Sequence, residues 1–230
     1  MTTPKSEPTT ERTTLLYRGI RRFVRTLLQV VYRFRADGFE RVPSSGPVLL
    51  VANHVSFFDP PLVACGLVAR PVHFLARASL FKWPLGPLIT ALNSIPLDDN
   101  AGDLRAIRRV IDHLKQGEMV LIFPEGSRTY DGKLQPFRDG VRLIVRKAGC
   151  PVIPIAIEGG FDTWPRTRAV PRLFGCRLRI RYGDPIPASA LGGGDANETI
   201  ERVIDGMRLE LRSELRSRSN GAFPKAGPGD

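Results

Sequence analysis

Apolar positions along the chain follow two rhythms. Between residues 15 and 36 the rhythm is helical. At 100° per residue, Leu16, Ile20, Phe23, Val24, Leu27, Val30, Val31 and Phe34 fall within an arc of about 120°. Arg18, Arg21, Arg22, Arg25 and Arg33 fall on the opposite face. After this stretch, short unbroken apolar runs alternate with further helical patterns. Val48–Ala52, which follows a Pro-Ser-Ser-Gly-Pro turn, reads as a buried strand, as do Val72–Ala76, Met119–Phe123 and Val152–Ile157. Leu178–Tyr182 reads as a strand with outward arginines. Helices are expected over Pro60–Ala69, with Asp59 as N-cap, and over Asp103–Gln116, Gly140–Ala148 and Glu198–Arg216. Strands alternating with helices predict an α/β domain. Its central sheet is largely parallel or mixed, flanked by helices and preceded by a basic amphipathic helix.

The boundaries follow from the same pattern. Residues 1–14 and 219–230 are expected to be disordered tails by composition, residues 15–36 the amphipathic helix, and residues 37–218 one domain. A chain of 230 residues can bury a sizeable core without disulfides or metals. Cys65, Cys150 and Cys176 form no CxxC pair, which fits a reducing compartment. Histidine occurs only at 54, 73 and 113, which argues against a histidine-rich metal centre. The polar N-terminus lacks the apolar core of a secretory signal, and prolines interrupt every long apolar window.

Charge changes the picture more than composition does. The net charge is +11, and residues 15–36 and 163–182 each hold six arginines and no acid. The excess therefore forms two patches on a near-neutral protein. Nucleic acid is disfavoured as a partner, because aromatic residues are few and no recognised binding motif accompanies the arginines. Two readings fit the 15–36 helix: a face lying in the headgroup region of an anionic bilayer, or a terminal helix packed on the domain with its charges in water. The absence of acids tilts the balance towards the membrane.

Two loops carry candidate chemistry. Asn53-His54-Val55-Ser56-Phe57-Phe58-Asp59-Pro60 follows a buried strand, at the end of a parallel sheet where ligands bind. A loop can fold Asp59 back onto His54, making a general base and its orienter. The competing reading leaves His54 hydrogen-bonded at a strand end and Asp59 as an N-cap. Phe123-Pro124-Glu125-Gly126-Ser127-Arg128-Thr129 also follows a buried strand. Gly126 lets backbone approach a ligand, Arg128 offers a planar fork for an anion, and Ser127 and Thr129 add hydroxyls. Read alone, it is a surface turn. There is no GxSxG elbow, P-loop or GxGxxG in the chain.

Together these residues resemble the glycerolphosphate acyltransferase family, most closely the bacterial 1-acylglycerol-3-phosphate (lysophosphatidic acid) acyltransferases, over about residues 37–187. Asn53-His54 to Asp59-Pro60 is similar to its NHxxxxD motif. Phe74–Arg77 through Pro84-Leu85-Gly86 to Ile95–Asp98 is similar to its second block, Phe123–Arg128 to its third and Val152–Ile157 to its fourth. The resemblance implies an acyl-CoA or acyl-carrier-protein donor, a lysophospholipid acceptor, and no metal or cofactor. His54 would deprotonate the acceptor hydroxyl and Asp59 would orient His54. Glu125, Gly126, Ser127 and Arg128, with Arg77, would bind the acceptor. It also implies docking of the 15–36 helix on an anionic membrane surface, at the cytoplasmic face of the cell membrane. The chain departs from the family at Asp99, where arginine is frequent, at Arg77, where lysine is usual, and at Ala78. These departures open a second reading, another lyso-lipid or hydroxylated lipid as acceptor. A third is a non-catalytic protein binding anionic membranes.

Overall fold

The structure, a computed structural model, describes residues 15–67, 70–77, 94–97 and 103–230. Among these residues seven strands form one sheet: β1 (Arg35–Asp37), β2 (Val48–Ala52), β3 (His73–Arg77), β4 (Ser94–Leu97), β5 (Met119–Ile122), β6 (Val152–Glu158) and β7 (Arg179–Tyr182). Their spatial order is β1-β7-β6-β2-β5-β3-β4, and every pairing is parallel except β6 with β7. The sheet is thus mixed and largely parallel. The central strands β2, β5 and β6 are buried along their whole length. Coverage on both faces explains why they read as unbroken apolar runs.

Six helices are described: α1 (Leu15–Tyr32), α2 (Asp59–Gly66), α3 (Asp103–Lys115), α4 (Gly140–Ala148), α5 (Gly160–Thr163) and α6 (Ala196–Ser217). The alternation of β2 side chains divides the core. Val48, Leu50 and Ala52 pack with Leu28 and Tyr32 of α1 and Leu62 and Val63 of α2. Leu49 and Val51 pack with Val110 and Leu114 of α3, Val141 and Ile144 of α4, and Ile200 and Ile204 of α6.

The N-terminal helix is shorter than its sequence pattern. Arg33 takes a left-handed φ of 48°, Phe34 turns into the core, and Arg35–Asp37 becomes an edge strand beside β7. The helix also docks away from the centre of its apolar arc. Tyr17, Leu28 and Tyr32 are buried, while Phe23, Leu27 and Val30 stand exposed. The reason lies in two of its arginines. Arg21 donates to Leu67 O at 2.7 Å and Arg25 to Cys65 O at 3.2 Å, satisfying carbonyls at the C-terminal end of α2. That requirement draws the arginine side of α1 towards the domain.

The second arginine patch is also partly structural. Arg179, expected to face outward, is buried and donates to Arg33 O at 2.6 Å, closing the exit of α1. Arg181 pairs with Glu210 and Glu214 of α6. In β7 the strand face that should meet water is covered by a helix supplying acids.

The C-terminal segment departs most from its composition. Residues 219–230, expected to be disordered, fold back on the first core face with Phe223 buried. Arg212 bonds both Glu158 at 2.6 Å and Asp230 at 2.6 Å, and Arg216 also reaches Asp230. A buried carboxylate at the end of β6 needs a partner, and the arginine that supplies it also holds the tail. The N-terminal tail expected at 1–14 lies outside the described residues.

Phe223→Ala should therefore cost about 3 kcal/mol in urea unfolding, as for a core aromatic. Wild-type stability in that variant would mean that the tail does not pack on the core.

Candidate active site

The loop after β2 is held by one carboxylate oxygen. Asp59 is the first residue of α2 and wholly buried, and its Oδ2 accepts from Val55 N at 2.7 Å and Ser56 N at 2.8 Å. The same oxygen lies 2.8 Å from His54 Nδ1. Asp59 is therefore not an N-cap: its bonds go back to the loop that precedes the helix. A carboxylate only accepts, so Nδ1 carries the proton and Nε2 keeps its lone pair. The position at a helix N-terminus also favours the negative charge. Gly160 of α5 closes over the loop, where an added Cβ would come within 3.0 Å of Val55 and Ser56 and 3.3 Å of Asp59 Oδ1.

Neighbouring strands fix the rest of the loop. Asn53, also buried, exchanges two bonds with the Ile157 backbone, at 2.9 and 2.7 Å, extending the β2–β6 ladder by a side chain. The His54 ring stacks on Phe123 with centroids 4.1 Å apart. His54 O accepts from Thr129 N at 2.9 Å, and His54 N donates to Glu125 Oε1. Two loops separated by about 70 residues are thereby joined around one imidazole.

Glu125 has a different place from the one expected. It is buried, and its second oxygen accepts from Gln135 N at 2.8 Å. Each oxygen thus accepts from a backbone N–H, so Glu125 positions the His54 loop. Burial pushes its carboxyl up to about 8, against the opposing pull of the two backbone N–H groups, with Asp59 adding to the rise. Gly126, at φ 74°, turns the chain outward after it, and Ser127 is exposed. Arg128 lies with its guanidinium carbon 3.3 Å from the Phe57 ring centroid, beside the His54 loop. The third block thus delivers an arginine and a hydroxyl to the mouth of the site.

The rim continues into a segment that the motifs do not include. Trp164 packs against Phe57 and Phe58 at 4.8 and 5.0 Å, and its carbonyl accepts from Ser56 Oγ at 2.9 Å. Arg166 donates to Arg128 O at 2.9 Å and lies over Tyr130. Sequence reasoning missed these links because their only trace is two aromatics and an arginine far from any block.

The ends of the second block meet as the adjacent strands β3 and β4, with Phe74 opposite Ser94 and Arg77 opposite Leu97. Arg77 ends β3 at the edge of the sheet that also carries His54. Its side chain, residues 78–93 and Asp98-Asp99 lie outside the described part of the chain.

The comparisons with known proteins follow this geometry. The family model described as Acyltransferase matches residues 33–158. The chain is 33% identical over 132 residues to the chloroplastic 1-acyl-sn-glycerol-3-phosphate acyltransferase BAT2 of Brassica napus, which covers 56% of this chain and 38% of that protein. It is 38% identical over 181 residues to the lyso-ornithine lipid O-acyltransferase of Pseudomonas aeruginosa, covering 72% of this chain and 68% of that protein. The crystal structure of the 1-acyl-sn-glycerophosphate acyltransferase PlsC from Thermotoga maritima superposes with a TM-score of 0.71 at 27% identity, covering 86% of this chain and 78% of that one. The chain spans only 36–57% of the length of three plant and algal relatives.

Glu125 generates a prediction about stability. Its unfolded value is near 4.5 and its folded value about 8, so between these pH values the folded chain holds a proton that the unfolded chain has released. Stability therefore falls as pH rises through that window. Glu158 and Asp162, both raised by burial, act in the same direction. Glu125→Gln should flatten the fall in the urea midpoint between pH 5 and 8; an unchanged slope would mean that Glu125 ionises normally.

Proposed function

The chain belongs to the acyltransferase family, and from that premise we propose that it moves a fatty acyl group from a thioester to the sn-2 hydroxyl of 1-acylglycerol-3-phosphate, giving phosphatidic acid. The observation that carries this reading is the 2.8 Å contact of His54 Nδ1 with Asp59 Oδ2, which leaves Nε2 as the base, in a loop whose Phe57 ring packs against Arg128. His54 Nε2 takes the hydroxyl proton as the acceptor oxygen attacks the thioester carbonyl. The carbon–sulfur bond then breaks, and the leaving thiolate takes that proton back from His54. Asp59 stabilises the imidazolium formed in between. Arg128 and Ser127, with Arg77, hold the acceptor phosphate. Acyl-CoA or acyl carrier protein supplies the thioester.

Direct transfer, without an acyl-enzyme, is supported by the cysteines. All three are buried, and burial pushes Cys65 and Cys150 up to about 11, far from the thiolate a nucleophile needs.

A second reading concerns the acceptor. Asp98-Asp99 is a poor neighbour for a phosphate and suits a headgroup bearing an amine. The Pseudomonas relative is named for a lyso-ornithine lipid. Labelled acyl transfer to a panel of lysophosphatidic acid, lyso-ornithine lipid and lysophosphatidylethanolamine separates the two. Lysophosphatidic acid should be acylated fastest, and His54→Ala should lower that rate by about 10²–10⁴. Lysophosphatidic acid among the poorest acceptors would favour the second reading, and a wild-type rate in His54→Ala would remove the base.

The protein acts as a peripheral enzyme at the cytoplasmic face of the cell membrane. No helix among the described residues is long and apolar enough to cross a membrane. Two exposed apolar groups with arginines support docking instead. On α1, Phe23, Leu27 and Val30 stand exposed on a helix that also exposes Arg18 and Arg22; beyond Trp164, Val170, Leu173 and Phe174 stand exposed in the segment that exposes Arg168 and Arg172. Apolar tips interleaved with cations suit the headgroup layer of an anionic bilayer. Phe174→Ser and Val30→Ser together should reduce flotation with phosphatidylglycerol vesicles severalfold, and salt should weaken the wild-type binding. Unchanged flotation would exclude both patches as the contact.

A further inference from the structure

His73 and His113 have no part in the site above, yet the fold brings them together. His73 opens β3, His113 lies in the last turn of α3, and Glu118 immediately precedes β5. Three backbone features fix them independently. Helix α3 ends with Gly117 at φ 84°, Gly117 N bonding Leu114 O at 2.9 Å and Glu118 N bonding His113 O at 3.2 Å. That pair of bonds is a Schellman turn, and it lays Glu118 back over His113. The β3–β5 register sets His73 opposite Val120, two residues from Glu118.

The side chains converge accordingly. His113 Nδ1 bonds Glu118 Oε2, and His73 Nε2 lies 3.7 Å from the same oxygen. The imidazole rings stack with centroids 5.3 Å apart. One ligand atom from each residue lies within 4.8 Å of the other two. Three ligands around one metal at 2.0–2.2 Å stand roughly 3.2–3.6 Å apart, so small side-chain adjustments would enclose an ion. All three groups are partly shielded, with 17–28% of each side chain exposed, so an ion could enter from solvent.

We propose that His73, His113 and Glu118 bind a Zn²⁺ ion, with water in the fourth position. Two imidazoles and a carboxylate form a borderline donor set that suits zinc better than magnesium or calcium. The site lies at the end of the sheet opposite His54, since Glu118 precedes β5 and Glu125 follows it. Its role is structural. Strand β3 meets β5 through only two register pairs, His73–Val120 and Phe74–Leu121, and β3 carries edge strand β4. An ion joining β3, α3 and the start of β5 would fasten this edge, and with it the second block, to the sheet. The sequence argued against a metal centre because its three histidines are dispersed; only the fold pairs two of them across 40 residues.

The test uses the whole chain, stripped with EDTA and titrated with Zn²⁺ alone by calorimetry at pH 7.5. One ion per chain should bind, and saturating Zn²⁺ should raise the thermal midpoint by about 5 °C or more. Co²⁺ should give the visible absorption bands of a four-coordinate nitrogen–oxygen site. His73→Gln and His113→Gln, confirmed as folded by circular dichroism, should each abolish the one-equivalent binding, the thermal shift and the bands, while His54→Ala should retain them. Binding that survives in both glutamine variants, or is lost in His54→Ala, would overturn the site, as would no binding by the wild-type chain. None of these readouts depends on acyl transfer.

Discussion

Asp59 Oδ2 gathers three N–H groups, two from backbone and one from the His54 ring, at a point from which water is excluded. Burying a carboxylate is costly unless its lone pairs are filled; here the loop fills those of Oδ2, while Oδ1 is buried without a hydrogen-bond partner. The constraint works in both directions. The loop must curl to satisfy the charge, and the charge then selects one imidazole tautomer. Asp59 itself opens α2 and Pro60 follows within the first turn, so the carboxylate is held where the helix begins. A single oxygen thus sets the loop path, the helix start and the nitrogen left for chemistry.

The surrounding structure serves that arrangement through backbone. Asn53 docks on β6, Glu125 bridges the His54 and Gln135 amides, and Thr129 reaches the His54 carbonyl. Residues that look chemical in a motif are here largely structural. A buried glutamate receiving two amides is an anchor, and its raised protonation range records how little water reaches it. Ser127 is exposed, and Arg128 packs half-buried over Phe57 at the rim.

The net charge of +11 first suggests a broad polyanion-binding surface. Its arginines divide instead into two kinds. Arg21, Arg25 and Arg179 donate to backbone carbonyls at α2 and at the end of α1, and Arg181 meets acids of α6. Arg18, Arg22, Arg168 and Arg172 remain exposed. Part of the basicity in the two patches thus closes helix ends and strand edges, and the rest faces outward.

The sequence by itself determined the alternation of strands and helices, because buried parallel strands must be apolar on both faces. It also singled out the two polar loops, after β2 and after β5, that the fold brings together around His54. The spacing of His54 and Asp59 left a base-and-orienter pair and an N-cap as competing readings, and the fold of the loop decided between them. Tertiary structure decided what local patterns do not encode. Residues 219–230 look like a tail, since only partners elsewhere, Arg208, Arg212 and Arg216, make their packing favourable. That Glu125 bridges two backbone amides shows only when β2 and β5 stand side by side. The arginines of α1 read as solvated until α2 offers unpaired carbonyls. His73 and Glu118 are 45 residues apart, and only the β3–β5 register brings them to one oxygen. Periodicity reports how each segment meets its own surroundings; which segments meet each other is set by the order of strands in the sheet.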